Sequence, residues 1–232
     1  MRLSLKILSA ALSCAPHTAA ADPLPAPSWP DGFLTRVEAL ALLQTLNASL
    51  LASRSATATL EKWCADHQMA PDPKIRARRV AGEEKPASAE TRQRLGVDAE
   101  EPVKYRRVQL MCGEHVLSEA DNWYVPGRLS AQMNLALDTT DTPFGKAVAA
   151  LEPYRRTIEM KIDWSPLPAG WESGAAGSGT GTFSGALATP WRLFEHTAIL
   201  YGRDQRPFSE VHEGYTREVL DFPAPPAGAP GR

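Results

Sequence analysis

The chain of 232 residues is 43% hydrophobic and 22% charged, with a formal net charge of -2. These values are typical of a globular domain with a sizeable core. The near-neutral balance gives no electrostatic basis for binding nucleic acid or an anionic membrane surface, which requires a clustered basic excess. No stretch approaches the roughly 18 apolar residues that cross a bilayer, so we expect no membrane span.

The N-terminus is predicted to be a signal peptide over residues 1–21. Positive charge at Arg2 and Lys6 precedes a short apolar run, and three alanines end the segment. A frayed terminal helix is the alternative, but the order of charge, apolar run and small residues favours export to the periplasm or secretion. Residues 22–30, with four prolines, are predicted as a linker, and residues 223–232 as a disordered tail.

Export also bears on the cysteines. Cleavage of the leader removes Cys14 and leaves Cys64 and Cys112. Two cysteines in an exported chain are a candidate disulfide, and they are equally consistent with two buried thiols. A separation of less than about 7 Å between the Cα atoms distinguishes the bridge.

The first part of the single domain, residues 31–222, is predicted to be helical. Apolar residues at helical spacing predict a helix over 33–46, capped by Asp31. Small hydroxyl residues at 53–59 predict the cap of a second helix. A strand over 74–80 and a short helix over 88–96 follow.

The remainder of the domain is predicted to be mostly sheet. Strands over 103–112 and 116–125 form a hairpin, and residues 157–164 alternate between apolar and polar. Two more strands are predicted over 191–201 and 207–215. Helices first and hairpins later indicate an α+β domain with a mainly antiparallel sheet.

Two segments interrupt these strands. Thr142 followed by Pro143 predicts the capped start of a helix, because proline is favoured at the first helical position. Residues 165–190 are rich in glycine, alanine and serine and have no apolar periodicity. They are predicted to be a flexible insertion or a mobile lid.

Arg106 is a candidate ligand-binding residue. Alternation along its strand places it on one face with Val108, Leu110 and Cys112. If that face packs on the core, the guanidinium needs an anionic partner, because an unpaired buried charge is strongly unfavourable. The partner is an acidic side chain or a ligand anion, and the sequence leaves both open.

Two glutamates of the last strand are candidates for chemistry. Glu213 shares a face with Val211 and Tyr215, whereas Glu210 lies on the opposite face. One of them is therefore directed at apolar surroundings, where its pKa rises and it can donate a proton or bind a hydroxyl. A structural ion pair between Glu213 and Arg106 is the alternative.

No complete metal or phosphate motif occurs. Residues 212–216 begin like a metalloprotease helix, but Thr216 stands where the second histidine is required. The five histidines otherwise show no metal-ligand spacing, so we expect no metal and no cofactor.

Five short segments carry a family resemblance: Ser55–Leu60, Arg106–Glu114, Asn122–Pro126, Thr142–Gly145 and Pro207–Tyr215. In order and spacing they resemble the chorismate lyase family and the related effector-binding domains of bacterial transcription regulators. The resemblance covers residues 53–222. It implies an antiparallel sheet of about six strands with helices enclosing a buried pocket.

The resemblance also implies roles for individual residues. Lyases of this family eliminate pyruvate from chorismate to give 4-hydroxybenzoate, without metal or cofactor. Arg106 corresponds to the group that holds a substrate carboxylate, the Phe144 backbone to the site lining, and Arg156 lies close to another family arginine. Glu213, or Glu210 in a different register, corresponds to the acid.

Asn122 departs from the lyases, which have a second arginine at this place, because asparagine has no charge to hold a dicarboxylate. An exported lyase is also separated from chorismate, a cytosolic metabolite. We therefore expect a pocket for a small aromatic carboxylate and leave two functions open. One is a diverged carbon–oxygen lyase acting on chorismate or a similar enolpyruvyl ether, and the other is a non-catalytic periplasmic binding or sensing protein. The oligomeric state is not predicted.

Overall fold

The computed structural model describes three stretches of the chain, residues 29–82, 84–174 and 184–224. Three predicted segments lie wholly or mostly outside them: the signal peptide at 1–21, the linker at 22–30 and the tail at 223–232.

The helices are α1 (Phe33–Ala52), α2 (Ala56–Asp66), α3 (Ala89–Leu95), α4 (Ala131–Thr139) and α5 (Phe144–Ala147). The strands are β1 (Ile75–Arg79), β2 (Lys104–Cys112), β3 (His115–Tyr124), β4 (Tyr154–Ile162), β5 (Arg192–Tyr201) and β6 (Pro207–Thr216). All neighbouring strands pair antiparallel in the order β1-β2-β3-β6-β5-β4. The predicted α+β class with a six-stranded antiparallel sheet is confirmed.

Side-chain caps set the starts of α2 and α3. The Ser55 hydroxyl accepts a hydrogen bond from the Ala58 N–H, and the Ser88 hydroxyl accepts one from the Thr91 N–H. Each cap satisfies a donor that the first helical turn leaves without an acceptor. Gly96 ends α3 in the left-handed conformation, as predicted.

The predicted cap of α1 is wrong. The N-cap position is Gly32, which makes no side-chain capping bond. Asp31 instead accepts two hydrogen bonds from the Arg36 guanidinium, at 2.7 and 2.9 Å. The Asp31 carboxylate was predicted to cap the backbone N–H groups of α1. It bonds an arginine one turn into the helix instead.

The region around Thr142 also differs from its prediction. Pro143 occupies the N-cap of the four-residue helix α5, and Thr142 makes no capping bond. The sequence gives no hint of the helix before it, α4, which begins after the cap Ser130 and buries only Leu137. Since one buried residue makes no apolar stripe, periodicity has nothing to detect.

The main core lies between one face of the sheet and the helices α1 and α2, and we call this face the inner face. Leu46, Leu50 and Leu60 contribute from the helices and are fully buried. On the opposite, outer face, α3 packs through a smaller cluster that includes Leu95 and Trp123. A disulfide between Cys64 of α2 and Cys112 of β2, with Cα atoms 6.2 Å apart, joins the helical layer to the sheet.

β4 is an edge strand and differs from the other long strands in burial. Its apolar residues Ile158, Met160 and Ile162 are each about 40% exposed. The pairing with β5 shifts register between Thr157 and Glu159, so one residue is inserted and the alternation changes phase. The regular apolar–polar pattern of this segment therefore does not mark a core face.

The predicted insertion at 165–190 lies partly outside the described residues, at 175–183, and its two described ends contact the rest of the fold. Leu167 and Leu187 are buried, and the Leu187 N–H donates to the Trp29 carbonyl at 2.7 Å. Trp29 itself is buried and donates from its indole N–H to the carbonyls of Leu220 and Phe222. In the described stretches, no helix is both long and apolar enough to cross a membrane.

Candidate functional site

A pocket lies between the inner face of the sheet and the helices α2 and α5. It contains about 630 Å³ of empty space, solvent at its mouth included. The floor is mostly apolar and comes from four adjacent strands, with side chains of Val108, Leu110, Ala120, Asn122, Leu200, Val211 and Glu213. The predicted candidates Arg106, Asn122, Phe144 and Glu213 all line it.

The roof of the pocket is formed by the first turns of α2 and α5. Residues 54–57 and Phe144-Gly145 line the cavity from this side. A Cβ atom at Gly145 would lie 3.2 Å from the hydroxyl oxygens of Ser55 and Thr57, closer than ordinary contact. Glycine therefore allows the two helix starts to meet. The α2 N-terminus faces the cavity with backbone N–H groups that have no acceptor within the helix.

Arg106 is buried at the pocket wall, where no carboxylate of the described residues pairs with it. Its side chain is 5% exposed, and Nη2 donates to the Thr142 carbonyl at 3.1 Å. Nε and Nη1 are buried and have no hydrogen-bond partner among the described residues. Burial, with a smaller contribution from the charge of Arg79, lowers the pKa of Arg106 to about 10. The group is still cationic at neutral pH, so the pocket contains an uncompensated positive charge.

A second buried arginine lies at the other side of the pocket. Arg155 is 3% exposed in its side chain, and Nη1 contacts the Glu213 carboxylate at 2.6 Å. The Tyr215 hydroxyl donates to the same carboxylate oxygen at 3.0 Å. Burial raises the pKa of Tyr215 well above its ordinary value, with a further contribution from the Glu213 charge, so the phenol remains a donor. Glu213 thus pairs with Arg155, and the predicted alternative of a Glu213–Arg106 pair is not formed.

The buried atoms that lack a hydrogen bond are concentrated at these two arginines. Eight buried side-chain nitrogen and oxygen atoms in the described stretches have no partner, and four of them belong to Arg106 and Arg155. Buried donors are nearly always satisfied in folded proteins, so a group of orphans beside one cavity points to a ligand.

Glu210 lies on the outer face and does not reach the pocket. It is fully buried beneath α3, where it accepts hydrogen bonds from Arg94, Thr91 and His212. Burial alone raises its pKa, but the bonds from Arg94 and His212 outweigh this effect and lower the pKa to about 2. Of the two glutamates considered, Glu210 is therefore not the one with a raised pKa, because Arg94 and His212 surround its carboxylate.

Arg156 is exposed and is not among the residues that line the pocket. It pairs with Ile199 and through it with Glu210, in a row of the sheet that belongs to the outer face. Its neighbour Arg155 lines the pocket instead. The inserted residue near Ile158 shifts the alternation of β4 by one position. This shift decides which of the two arginines faces the pocket.

The other two predicted ligand-binding residues are held by side-chain contacts. The Asn122 carbonyl oxygen accepts a hydrogen bond from the Ser209 hydroxyl at 2.7 Å, and both residues are buried. The Phe144 ring packs between Tyr124 and Phe208, with centroids 5.5 and 6.3 Å away. Asn122 is therefore a neutral group held in place, and the Phe144 ring forms an apolar wall. Both residues line the same pocket.

One group of metal-ligating residue types occurs away from the pocket. Ligand atoms of His115, Glu218 and Asp221 lie within 4.8 Å of one another. Asp221 contacts the His115 ring at 3.0 Å, and Glu218 accepts a hydrogen bond from the Val116 N–H. Because these groups already have partners in the protein, we assign no metal to them.

Comparison with known proteins places the chain in a family. No family model matches it. The uncharacterized protein y4mC of Sinorhizobium fredii is 49% identical over 224 residues, which are 96% of this chain and 93% of y4mC. The chain belongs to the y4mC family.

Solved structures similar to this y4mC-family chain include regulators of the GntR family and PhnF of Mycobacterium smegmatis. PhnF is 14% identical, with a TM-score of 0.45 over 88% of this chain and 94% of PhnF. Its effector domain is also 14% identical, with a TM-score of 0.43 over 71% and 89%. A GntR-family transcriptional regulator of Bacillus cereus is 12% identical, with a TM-score of 0.37 over 64% and 95%. The effector-binding domains that the sequence resembles are thus represented among the similar structures.

Proposed function

We propose that this protein binds a small organic anion, an aromatic carboxylate, in the pocket beneath α2. One observation carries the proposal: Arg106 is a buried cation with two unsatisfied donors and no carboxylate partner. Leaving a charge buried and unpaired is strongly unfavourable, so an anion that supplies the missing partner is bound with a large gain. A carboxylate fits because its two oxygens match the fork of the guanidinium.

The helix above Arg106 supports the same ligand charge. The N-terminus of α2 carries a partial positive charge and free backbone N–H groups, which favour an anion. Ser55 and Thr57 add hydroxyl groups in the same turn. The apolar floor formed by Val108, Leu110 and Val211 suits the hydrocarbon part of the ligand. An aromatic ring bearing a carboxylate satisfies both surfaces.

The contacts of Glu213 favour binding over catalysis. Elimination of pyruvate requires an acid near the leaving oxygen, and Glu213 is the predicted candidate. Nη1 of Arg155 and the Tyr215 hydroxyl both contact one carboxylate oxygen of Glu213. The group therefore already has two partners within the protein, as in a structural ion pair. We therefore propose a binding or sensing protein rather than a lyase, and release of pyruvate from chorismate by the purified protein would contradict this choice.

Export to the periplasm or beyond forms part of the proposal. It is supported by the Cys64–Cys112 disulfide, because disulfides persist in oxidising compartments and are rare in the cytosol. The order of charge, apolar run and alanines in residues 1–21 supports the same location.

The test compares two arginine variants in calorimetric titrations with benzoate and 4-hydroxybenzoate. Arg106→Met is expected to weaken binding by about 2 kcal/mol or more, roughly 30-fold in Kd, because a charge-assisted hydrogen bond is lost. Arg156→Met is the matched control. It removes the same group from the exposed outer face and is expected to bind like the unmodified protein.

Two results would refute the proposal. One is the absence of binding of either compound to the unmodified protein. The other is equal affinity in the Arg106→Met variant, which would place the anion elsewhere.

A further inference from the structure

The second pocket arginine, Arg155, indicates which group a ligand presents at the end opposite its carboxylate. Arg155 uses Nη1 for Glu213, while Nε and Nη2 are buried without an acceptor among the described residues. Its side chain is 3% exposed and lines the same cavity as Arg106. Two directed donors therefore remain available to a ligand oxygen.

The two arginines lie on opposite sides of the cavity. Arg106 is on β2 and Arg155 on the edge strand β4, with β3, β6 and β5 between them. At a spacing of about 4.8 Å per strand, their backbones are roughly 19 Å apart along the sheet. Both side chains converge on the cavity from its two sides. A ligand that meets both therefore presents a different group to each.

The charges at the two sides are different. Arg106 has no carboxylate partner, so its side of the pocket is cationic. Arg155 is paired with Glu213, so this pair carries no net charge but keeps two donors without an acceptor among the described residues. A second anion placed beside Arg155 would also lie close to the Glu213 carboxylate, and like charges at short range repel in a poorly hydrated site. A neutral oxygen gains the donor bonds without this repulsion.

We propose that the ligand is a monoanion whose far end carries a neutral hydrogen-bond acceptor, such as an amide or ketone oxygen, and that Arg155 binds this acceptor. The proposal rests on the proposed function, because it takes the carboxylate at Arg106 as the first end of the ligand. Glu213 and Tyr215 are positioning residues, which fix the guanidinium and neutralise its charge. The pocket then selects against dicarboxylates of the same size.

Benzoate and two para-substituted derivatives of it, 4-carbamoylbenzoate and terephthalate, separate these possibilities. The last two have nearly the same shape and differ in whether the far end is a neutral amide or a second carboxylate. We expect 4-carbamoylbenzoate to bind at least 10-fold more tightly than either of the others. The affinities are measured by calorimetric titration of the mature protein at neutral pH.

Glu213→Gln provides the decisive variant. It keeps the size of the side chain and a hydrogen-bond acceptor but removes the charge that neutralises Arg155. The preference is expected to reverse, with terephthalate binding more tightly than 4-carbamoylbenzoate. Glu195→Gln is the control, because Glu195 pairs with Arg192 outside this pocket, and it should keep the original order. A purely structural role for Glu213 would weaken all three compounds alike and leave their order unchanged.

The outcomes separate the two proposals. If all three compounds bind with equal affinity and depend on Arg106, the carboxylate site stands and the role of Arg155 is refuted. If terephthalate binds the unmodified protein best, the charge argument is refuted. If none of them binds, the proposed function and this inference fail together.

Discussion

The two faces of β6 each bury a glutamate that is paired with an arginine, yet the two pairs are built differently. On the outer face, Glu210 receives bonds from three side chains, and both of its oxygens are used. On the inner face, Glu213 uses one oxygen for two donors and leaves Arg155 with two donors unsatisfied. The outer pair, in which both carboxylate oxygens are hydrogen-bonded, stabilises the fold. The inner pair lies beside a cavity and keeps two arginine donors that can bind a ligand.

The helices on the two faces are attached in correspondingly different ways. α3 is attached to the outer face by Arg94 and Thr91, which both bond Glu210. α2 covers the inner face and is linked to β2 by the Cys64–Cys112 disulfide. The inner face thus carries its helix over an apolar core with a covalent link, and no described carboxylate pairs with Arg106 beneath it.

The largest expected effect concerns this covalent link. Replacing both cysteines by alanine should lower the free energy of unfolding by about 4 kcal/mol, because the bridge closes a loop with a sequence separation of 48. Urea denaturation measures the change, and the reduced unmodified protein is the control. A loss below about 1 kcal/mol would show that α2 is held without the bridge. Two free thiols in protein isolated from its native cell would contradict the proposed export.

The next effect is on the outer face and depends on pH. Glu210→Gln should lower the free energy of unfolding at pH 7 by about 3 kcal/mol, since the carboxylate pKa falls from 4.5 to about 2 on folding. A carboxyl with a lowered pKa stabilises the fold above its unfolded value and loses that contribution as pH falls. The difference between variant and unmodified protein should therefore shrink between pH 4.5 and pH 2. An unchanged difference across this range would refute the role of the pair, and binding of benzoates should be unaffected.

The smallest expected effect has the opposite sign. Arg106→Met should raise the free energy of unfolding by about 2 kcal/mol while it weakens carboxylate binding, because an apolar side chain replaces a buried charge that lacks a partner. Arg155→Met is the contrast, and it should destabilise the protein by orphaning Glu213. Thermal unfolding of the two variants measures both signs. Destabilisation by Arg106→Met would show that this arginine is structural.

Strong local patterns made much of the fold predictable. The hairpin of β2 and β3 follows from alternation and a glycine turn, and the starts of α2 and α3 from hydroxyl caps. Alternation also places Arg106 on the buried face, where the structure has it. These features depend on neighbours in sequence, which is why one sequence suffices to predict them.

The rest of the site depends on contacts that are distant in sequence. The sequence pointed to Arg156, but the residue inserted near Ile158 reverses the phase of β4 and turns Arg155 inward. The partner of Glu213 was missed for the same reason. Similarly, the basic partner of Glu210 could not be predicted, because Arg94 lies 116 positions away in sequence.

The position of Arg155 on β4 has a consequence for how its end of the pocket is held. Among the described strands, β4 is bonded only to β5, so a change there disturbs a single ladder of hydrogen bonds. Arg106 lies on β2, which is flanked on both sides and carries the disulfide. The backbone that carries Arg106 is therefore held on both sides, whereas the strand that carries Arg155 is held on one. A small shift of β4 that keeps the Arg155–Glu213 pair would disturb less of the sheet than the same shift of β2.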